Sequence, residues 1–191
     1  MRTAVGLVAV IYLFATPRVG QAQEDLARDR GWLSLGAGAG RIDLAAAGAS
    51  THTAFMLELS GGFWLTDRLG LGVHLGGWTI EGFDLWNPEE GESVSEVFAQ
   101  ARFRPSVESP LYLRLESGWA SYTVNDPARV VSEGDVLGWR LGAAWELAPL
   151  AGVTLAPSIV ASWGGSGPAI TDGGSFDYRG VGLILGLVWA F

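Results

Sequence analysis

In the stretch LYLRLESGWASY, Leu111, Leu113, Leu115 and Trp119 fall on one face of an extended chain, while Tyr112, Arg114, Glu116, Gly118 and Ala120 fall on the other. The same period of two sets Phe55, Leu57 and Leu59 against Glu58 and Ser60, and Leu69, Leu71, Val73 and Leu75 against Gly70, Gly72, His74 and Gly76. It recurs through VFAQARF, VLGWRLGAAWEL, VTLAPSIVASW and GVGLILGLVWAF; with GWLSLGAGAGR near residue 32 the pattern predicts eight strands. Helices do not compete, because each of the 28 glycines would cost a helix interior roughly 1 kcal/mol relative to alanine. The connections alternate in kind. Those around 66–68, 105–109 and 149–152 are short and turn-like, whereas 43–52, 81–94, 123–134 and 164–177 are longer and polar. Short and long connections therefore belong to opposite ends of one antiparallel meander, and an even strand count returns both chain ends to the short-turn end.

The first residues follow a different rule. Arg2 precedes the apolar run AVGLVAVIYLFA, Pro17 breaks it, and Gly20-Gln21-Ala22 supplies small residues where a signal peptidase reads them. A helical span of the bilayer needs about 20 residues, so residues 1–22 are expected to be a cleavable signal peptide and 23–191 the single domain. The chain has no cysteine, which excludes disulfides, thiolate metal sites, a cysteine nucleophile and a lipidated anchor. All 12 of its basic residues are arginine, against 20 acidic residues. Loss of Arg2 and Arg18 with the signal would take the net charge from −8 to −10. Nucleic acid, which demands clustered cations, is not an expected partner.

Which face turns outward decides the class. A soluble ligand-binding barrel would enclose its apolar face; a membrane barrel shows that face to lipid and turns small and polar residues inward. Ionised residues occur on the apolar face only at strand ends, as expected where a cation at the bilayer midplane costs about 2–4 kcal/mol. Tryptophans cluster towards strand ends: Trp32, Trp64, Trp145 and Trp189 at the short-turn end, Trp78, Trp119, Trp139 and Trp163 at the other. Two interfacial girdles are thereby expected. Strict alternation would turn Trp32, Trp64 and Trp78 inward, so the girdles require register-flipping bulges at Gly61-Gly62 and Gly76-Gly77.

In the closing stretch, Leu183, Leu185, Leu187, Trp189 and Phe191 share one face, while Gly182, Ile184, Gly186, Val188 and Ala190 share the other. This resembles the carboxy-terminal signature of Gram-negative outer-membrane β-barrels. The resemblance implies that Leu187, Trp189 and Phe191 form a signal read by the barrel assembly machinery. In pattern, the whole of 23–191 is similar to the small eight-stranded class that includes the outer-membrane protein A transmembrane domain and its X and W relatives. That likeness implies an all-β fold, an eight-stranded antiparallel up-and-down transmembrane β-barrel. It also implies a place in the cell outer membrane with both termini periplasmic, and outer-membrane lipid and lipopolysaccharide as surroundings. Unlike the A-type protein the chain stops at the barrel, so no periplasmic cell-wall-binding domain is expected, and the barrel is expected to be a monomer.

Eight strands enclose a lumen just wide enough for side chains to fill. The inward set offers Glu58, His74, Gln100, Arg102, Arg114, Glu116, Arg140 and Glu146. Enclosed charges must pair, so an arginine–carboxylate network is expected, centred on Arg114, Glu116 and Arg140, with Glu58 and His74 at similar depth and Arg102 and Glu146 nearer the short turns. Such a network either packs the lumen or gates a small ion path. The acidic segment EGFDLWNPEEGES carries Glu81, Asp84, Glu89, Glu90 and Glu92 beside Trp86. Its carboxylates lack the regular spacing of a calcium loop, which favours a solvated loop over a cation site. Catalysis would need a base beside a nucleophile. His52 follows Ser50 and Thr51 at a strand end, and His74 has Gly76, not serine, two residues on, a departure from the lipid A deacylase arrangement. The expected function is non-enzymatic: structural, adhesive or recognitive, through loops on a closed barrel, with no cofactor and no metal. A small gated channel or a lipid A-modifying enzyme is the alternative.

Overall fold

The structure is a computed structural model, which describes residues 31–44, 50–81, 91–126, 129–147, 149, 152–165 and 176–191. The expected signal peptide, residues 1–22, lies outside the described residues, as do Asp84, Trp86, Glu89 and Glu90 of the acidic segment. Eight strands follow one another: β1 (Gly31–Leu44), β2 (Ser50–Trp64), β3 (Leu69–Glu81), β4 (Gly91–Phe103), β5 (Leu111–Asp126), β6 (Arg129–Trp145), β7 (Val153–Gly164) and β8 (Tyr178–Ala190). Each pairs antiparallel with its neighbour in sequence, and β1 closes on β8 from Trp32↔Ala190 to Leu44↔Tyr178. The result is a closed up-and-down barrel, as the alternation predicts.

The two faces separate cleanly. On β8, Val181, Leu183, Leu185, Leu187 and Phe191 are exposed while Tyr178, Ile184 and Val188 are buried. Phe191 is tied to Gly31 by a reciprocal pair of backbone hydrogen bonds, 2.8 and 3.1 Å. Leu33, Leu35, Leu57, Leu59, Leu71, Val73, Leu113, Leu115, Leu137 and Leu141 continue the apolar exterior on the other strands. From Val181 to Phe191 that band runs about 33 Å along the strand at about 3.3 Å per residue. A strand tilt of about 40° reduces this to about 25 Å, the height of a bilayer-facing band. An apolar surface continuous around a barrel is incompatible with water and overturns the soluble orientation.

Three expectations are corrected by the register. First, no bulge occurs at the glycine pairs: the β2–β3 ladder runs unbroken from Phe55↔Thr79 through Glu58↔Gly76 and Gly61↔Val73 to Trp64↔Gly70. Trp32 and Trp78 therefore remain inside, both buried, and Trp64 leans on Trp32 with ring centroids 5.4 Å apart. The exterior tryptophans are Trp119, Trp139 and Trp163 towards the long-loop end and Trp145 and Trp189 towards the short turns. Second, 123–134 is not a long loop. β5 and β6 stay paired out to Asp126↔Arg129, with a register shift between Tyr122 and Val124, so two residues separate the strands. Third, β4 starts at Gly91, before the apolar VFAQARF, and brings Glu96 into the lumen.

The lumen is filled with side chains in layers. Towards the long-loop end Ile42, Met56, Trp78, Val94, Phe98, Tyr122, Val136, Phe176 and Tyr178 form one apolar cluster; towards the short turns Trp32, Ala156 and Val188, with Trp64 against them, form a second. Glycine makes the large rings fit. A Cβ on Gly138 would stand 2.7 Å from the Tyr178 hydroxyl and 2.8 Å from Phe98, and one on Gly180 would stand 2.7 Å from the Trp78 indole. Inward glycines thus answer bulky side chains across the same narrow interior.

Candidate functional site

Between the two apolar layers lies a band of buried charge. Glu58 on β2, His74 on β3, Glu96 on β4, Arg114 and Glu116 on β5 and Arg140 on β6 all point inward and are buried. Strand register places Arg140 directly beside Glu116 and Glu116 beside Gln100. The remaining links cross the lumen. Arg114 Nη1 donates to Glu58 Oε1 at 2.9 Å, and its Nη2 lies 3.5 Å from Ser158 Oγ. Arg140 Nη1 donates to Glu96 Oε2 at 2.9 Å; its other nitrogens face Glu58 Oε2 at 3.3 Å and Glu116 Oε2 at 3.8 Å. One guanidinium thereby lies within ion-pairing distance of three carboxylates and hydrogen-bonds one of them, Glu96.

The histidine completes the centre. Arg140 Nη1 lies 2.8 Å from His74 Nε2, and His74 Nδ1 lies 3.5 Å from Glu116 Oε2. Arginine offers no acceptor, so Nε2 presents its lone pair and the ring proton sits on Nδ1, towards Glu116. His74 is fully enclosed and stacks against Phe98 with centroids 6.0 Å apart.

Above and below, the band is bonded into its neighbours. Trp78 Nε1 and the Tyr178 hydroxyl donate to Glu96 Oε1 at 3.3 and 3.2 Å, anchoring the charge to the upper apolar layer. Gln100 Nε2 donates to Glu116 Oε1 at 2.6 Å, and its oxygen accepts from Arg102 Nε at 2.9 Å. Arg102 also donates to Ser60 Oγ at 2.9 Å. Its guanidinium lies over the rings of Trp32 and Tyr112, 4.5 and 4.8 Å from their centroids, where π faces replace a carboxylate. Three glutamates and three arginines are buried among the described residues, so acidic and basic side chains are matched in number.

Of the residues the sequence nominates, Glu58, His74, Arg114, Glu116 and Arg140 come together, and Arg102 joins through Gln100. Glu146 does not. It follows the end of β6 and pairs with Arg104 at 2.8 Å near the short turns, where Arg104 covers Trp64 at 4.2 Å from its ring centroid. Glu96, with Trp78 and Tyr178 as donors, is the member that sequence reading misses. Its signal was parity: Glu96 lies two residues before Phe98 and four before Gln100, on the same face. Leu187, Trp189 and Phe191 lie on the outer face of β8 and its end. His52 sits at the loop end of β2, and Ile42 faces it across the ladder. Among the described residues no group of histidine, aspartate and glutamate could hold a metal ion.

No family model matches the chain, and no curated relative matches it. Solved structures do. Neisserial surface protein A superposes with a TM-score of 0.59 at 16% identity, covering 84% of this chain and 97% of that one. Ail, the attachment invasion locus protein of Yersinia pestis, superposes with a TM-score of 0.52 at 13% identity, covering 84% of this chain and 99% of that one. At these identities the likeness concerns the fold, and it agrees with the strand count, the closure and the apolar exterior. The chain has the fold of the small Gram-negative outer-membrane proteins, a closed eight-stranded transmembrane β-barrel.

Proposed function

We propose that this protein is a closed, non-enzymatic barrel of the outer membrane, whose wall carries the segments at its long-loop end for adhesion or surface recognition. The observation that supports this reading best is the layering of the lumen. Past Glu92, which lies beside Tyr122, an ion entering from the long-loop end meets Trp78, Phe98, Phe176 and Tyr178 before the central band of charge. It then meets guanidinium and carboxylate groups already committed to one another. Both layers are built of buried side chains, and desolvating an ion without compensation costs several kcal/mol. Chemistry on a substrate is disfavoured at His74 for the same reason, because it is buried among its acidic and basic neighbours.

With the lumen filled, function moves to the rim. The segment 82–90 contains Asp84, Glu89 and Glu90 with two aromatics, Phe83 and Trp86, an acidic sequence suited to a basic partner. Attachment is named for Ail, a protein of similar fold. Cells displaying the barrel should bind an immobilised basic surface or host-cell layer, and exchange of residues 82–90 for a Gly-Ser linker should reduce that binding several-fold. Equal adhesion with and without the segment would overturn the role.

The gated-channel alternative has its own readout. Purified barrel in planar bilayers is expected to give no unitary current, and Arg140→Glu is expected to stay silent because the upper apolar layer is untouched. Discrete openings in either protein would place an ion path through the charged band.

A further inference from the structure

We propose that the outer face of β1, β7 and β8 holds a binding site for the phosphorylated sugar headgroup of a glycolipid in the leaflet at the long-loop end. The inference rests on the reading of the chain as an outer-membrane barrel and adds a specific lipid contact to it. An open groove of about 580 Å³ lies there, lined by Arg41 and Asp43 from β1, Ala161 and Trp163 from β7, and Arg179 and Val181 from β8. Its size is that of a small-ligand site.

Ladder register builds the groove in two rows. Asp43 faces Arg179, which faces Trp163; one step towards the short turns, Arg41 faces Val181, which faces Ala161. Side chains of both rows point outward, because the alternate residues Ile42 and Ser162 are buried. The lower row continues into the lipid-facing band through Leu183 and Leu185. The upper row lies where that band ends, at the height where a headgroup meets water. Trp163 pairs across the ladder with Trp139, and both are exposed, as aromatic residues are at a membrane interface.

Each wall has a matching chemical part. Two exposed guanidinium groups can grip a phosphate, for which the arginine fork is the best-suited side chain. No ion pair occupies either of them among the described residues. The Thr51 hydroxyl donates to Asp43 Oδ1 at 2.6 Å, which fixes that carboxylate and leaves its second oxygen to accept a sugar hydroxyl. The indole of Trp163 offers a flat face to a sugar ring, and Ala161 and Val181 offer apolar ground to the first acyl carbons. Charge complementarity selects the ligand's sign: the chain as a whole is acidic, yet in this groove arginine outnumbers aspartate two to one. A simple anionic phospholipid would use the arginines and leave Asp43 and Trp163 unemployed.

Native mass spectrometry of the detergent-solubilised full barrel tests the assignment with three lipids: a bisphosphorylated lipid A, its dephosphorylated form, and phosphatidylglycerol. The wild type should retain the bisphosphorylated lipid at least about tenfold more tightly than either of the others. Arg41→Gln/Arg179→Gln should remove most of that preference, each single variant should remove part, and Trp163→Ala should weaken binding several-fold. Equal retention by the wild type and the double variant would overturn the site; equal retention of phosphatidylglycerol would overturn its glycolipid specificity. Heat-modifiable migration on SDS gels separates these failures from a deeper one. Variants that shift on boiling are folded barrels, so their lipid binding judges the groove alone. A wild type that fails to shift would remove the barrel reading itself.

Discussion

Exchanging Arg140 for methionine is expected to lower the unfolding free energy of the lipid-embedded barrel by about 3–5 kcal/mol, the cost of removing one partner from a buried ion pair. The expectation follows from what the guanidinium leaves behind. Among the described residues Glu96 loses its only arginine contact within 4 Å, Glu58 retains Arg114 alone, and His74 Nε2 loses its donor. Three carboxylates would then share a sealed compartment with two arginines. A second exchange that restores neutrality, Glu96→Gln on the Arg140→Met background, should return part of the loss, since the amide can still accept from Trp78 and Tyr178. Urea titration of vesicle-embedded protein, followed by tryptophan fluorescence, measures both. An unfolding midpoint indifferent to Arg140→Met would mean that the carboxylates are not held by this residue.

A cation placed outside should be as instructive as one removed from inside. Leu185 lies in the middle of the apolar band on β8 and is 55% exposed. Leu185→Arg should cost about 2–4 kcal/mol in lipid, while Val181→Arg, at the edge of the same band, should cost at most about 1 kcal/mol. The gradient along one strand reports bilayer depth, because both positions have nearly the same exposure in the protein itself, 55% and 56%. A water-soluble barrel would accept arginine equally at both, and equal tolerance would sink the transmembrane assignment.

The apolar exterior is plainly legible in the sequence because lipid enforces it at every second residue. Leu183 to Phe191 shows the rule undisturbed. Where two rules competed, the more rigid one won. Trp32 and Trp78 were drawn to an interfacial girdle by preference of type, but ladder parity turned them inward, where Arg102 and Glu96 employ them. A girdle is a tendency of residues at an interface, whereas a one-residue register slip would reverse an entire strand. The hairpin of β5 and β6 was hidden for another reason: Asn125, Asp126, Ser132 and Glu133 break the apolar alternation and read as loop, although the strands go on pairing.

The charged band was legible as a set of residues and not as a connected arrangement. Parity brings Arg114, Glu116 and Arg140 inward, but only the barrel's circumference decides that Arg114 reaches Glu58 from the opposite wall. Glu96 was lost at a strand boundary. The run SVSE preceding Val97 is polar and half small, and on its own it reads as the end of a loop; pairing of Glu92 to Phe103 with β5 makes it strand. Glu146 illustrates the reverse: it lies near the short turns as its place in the alternation suggests, but β6 ends at Trp145 and its partner there is Arg104, outside the buried band.

The filled lumen also changes what the rim can do. With its interior interlocked, the barrel holds the roots of its upper connections, at Leu44 and Ser50, Glu81 and Gly91, and Gly164 and Tyr178, at set separations around the circumference. A partner touching two of these segments at once would find their spacing already fixed. Less conformational entropy would then be lost on association, so modest contacts at each segment could combine into tight binding.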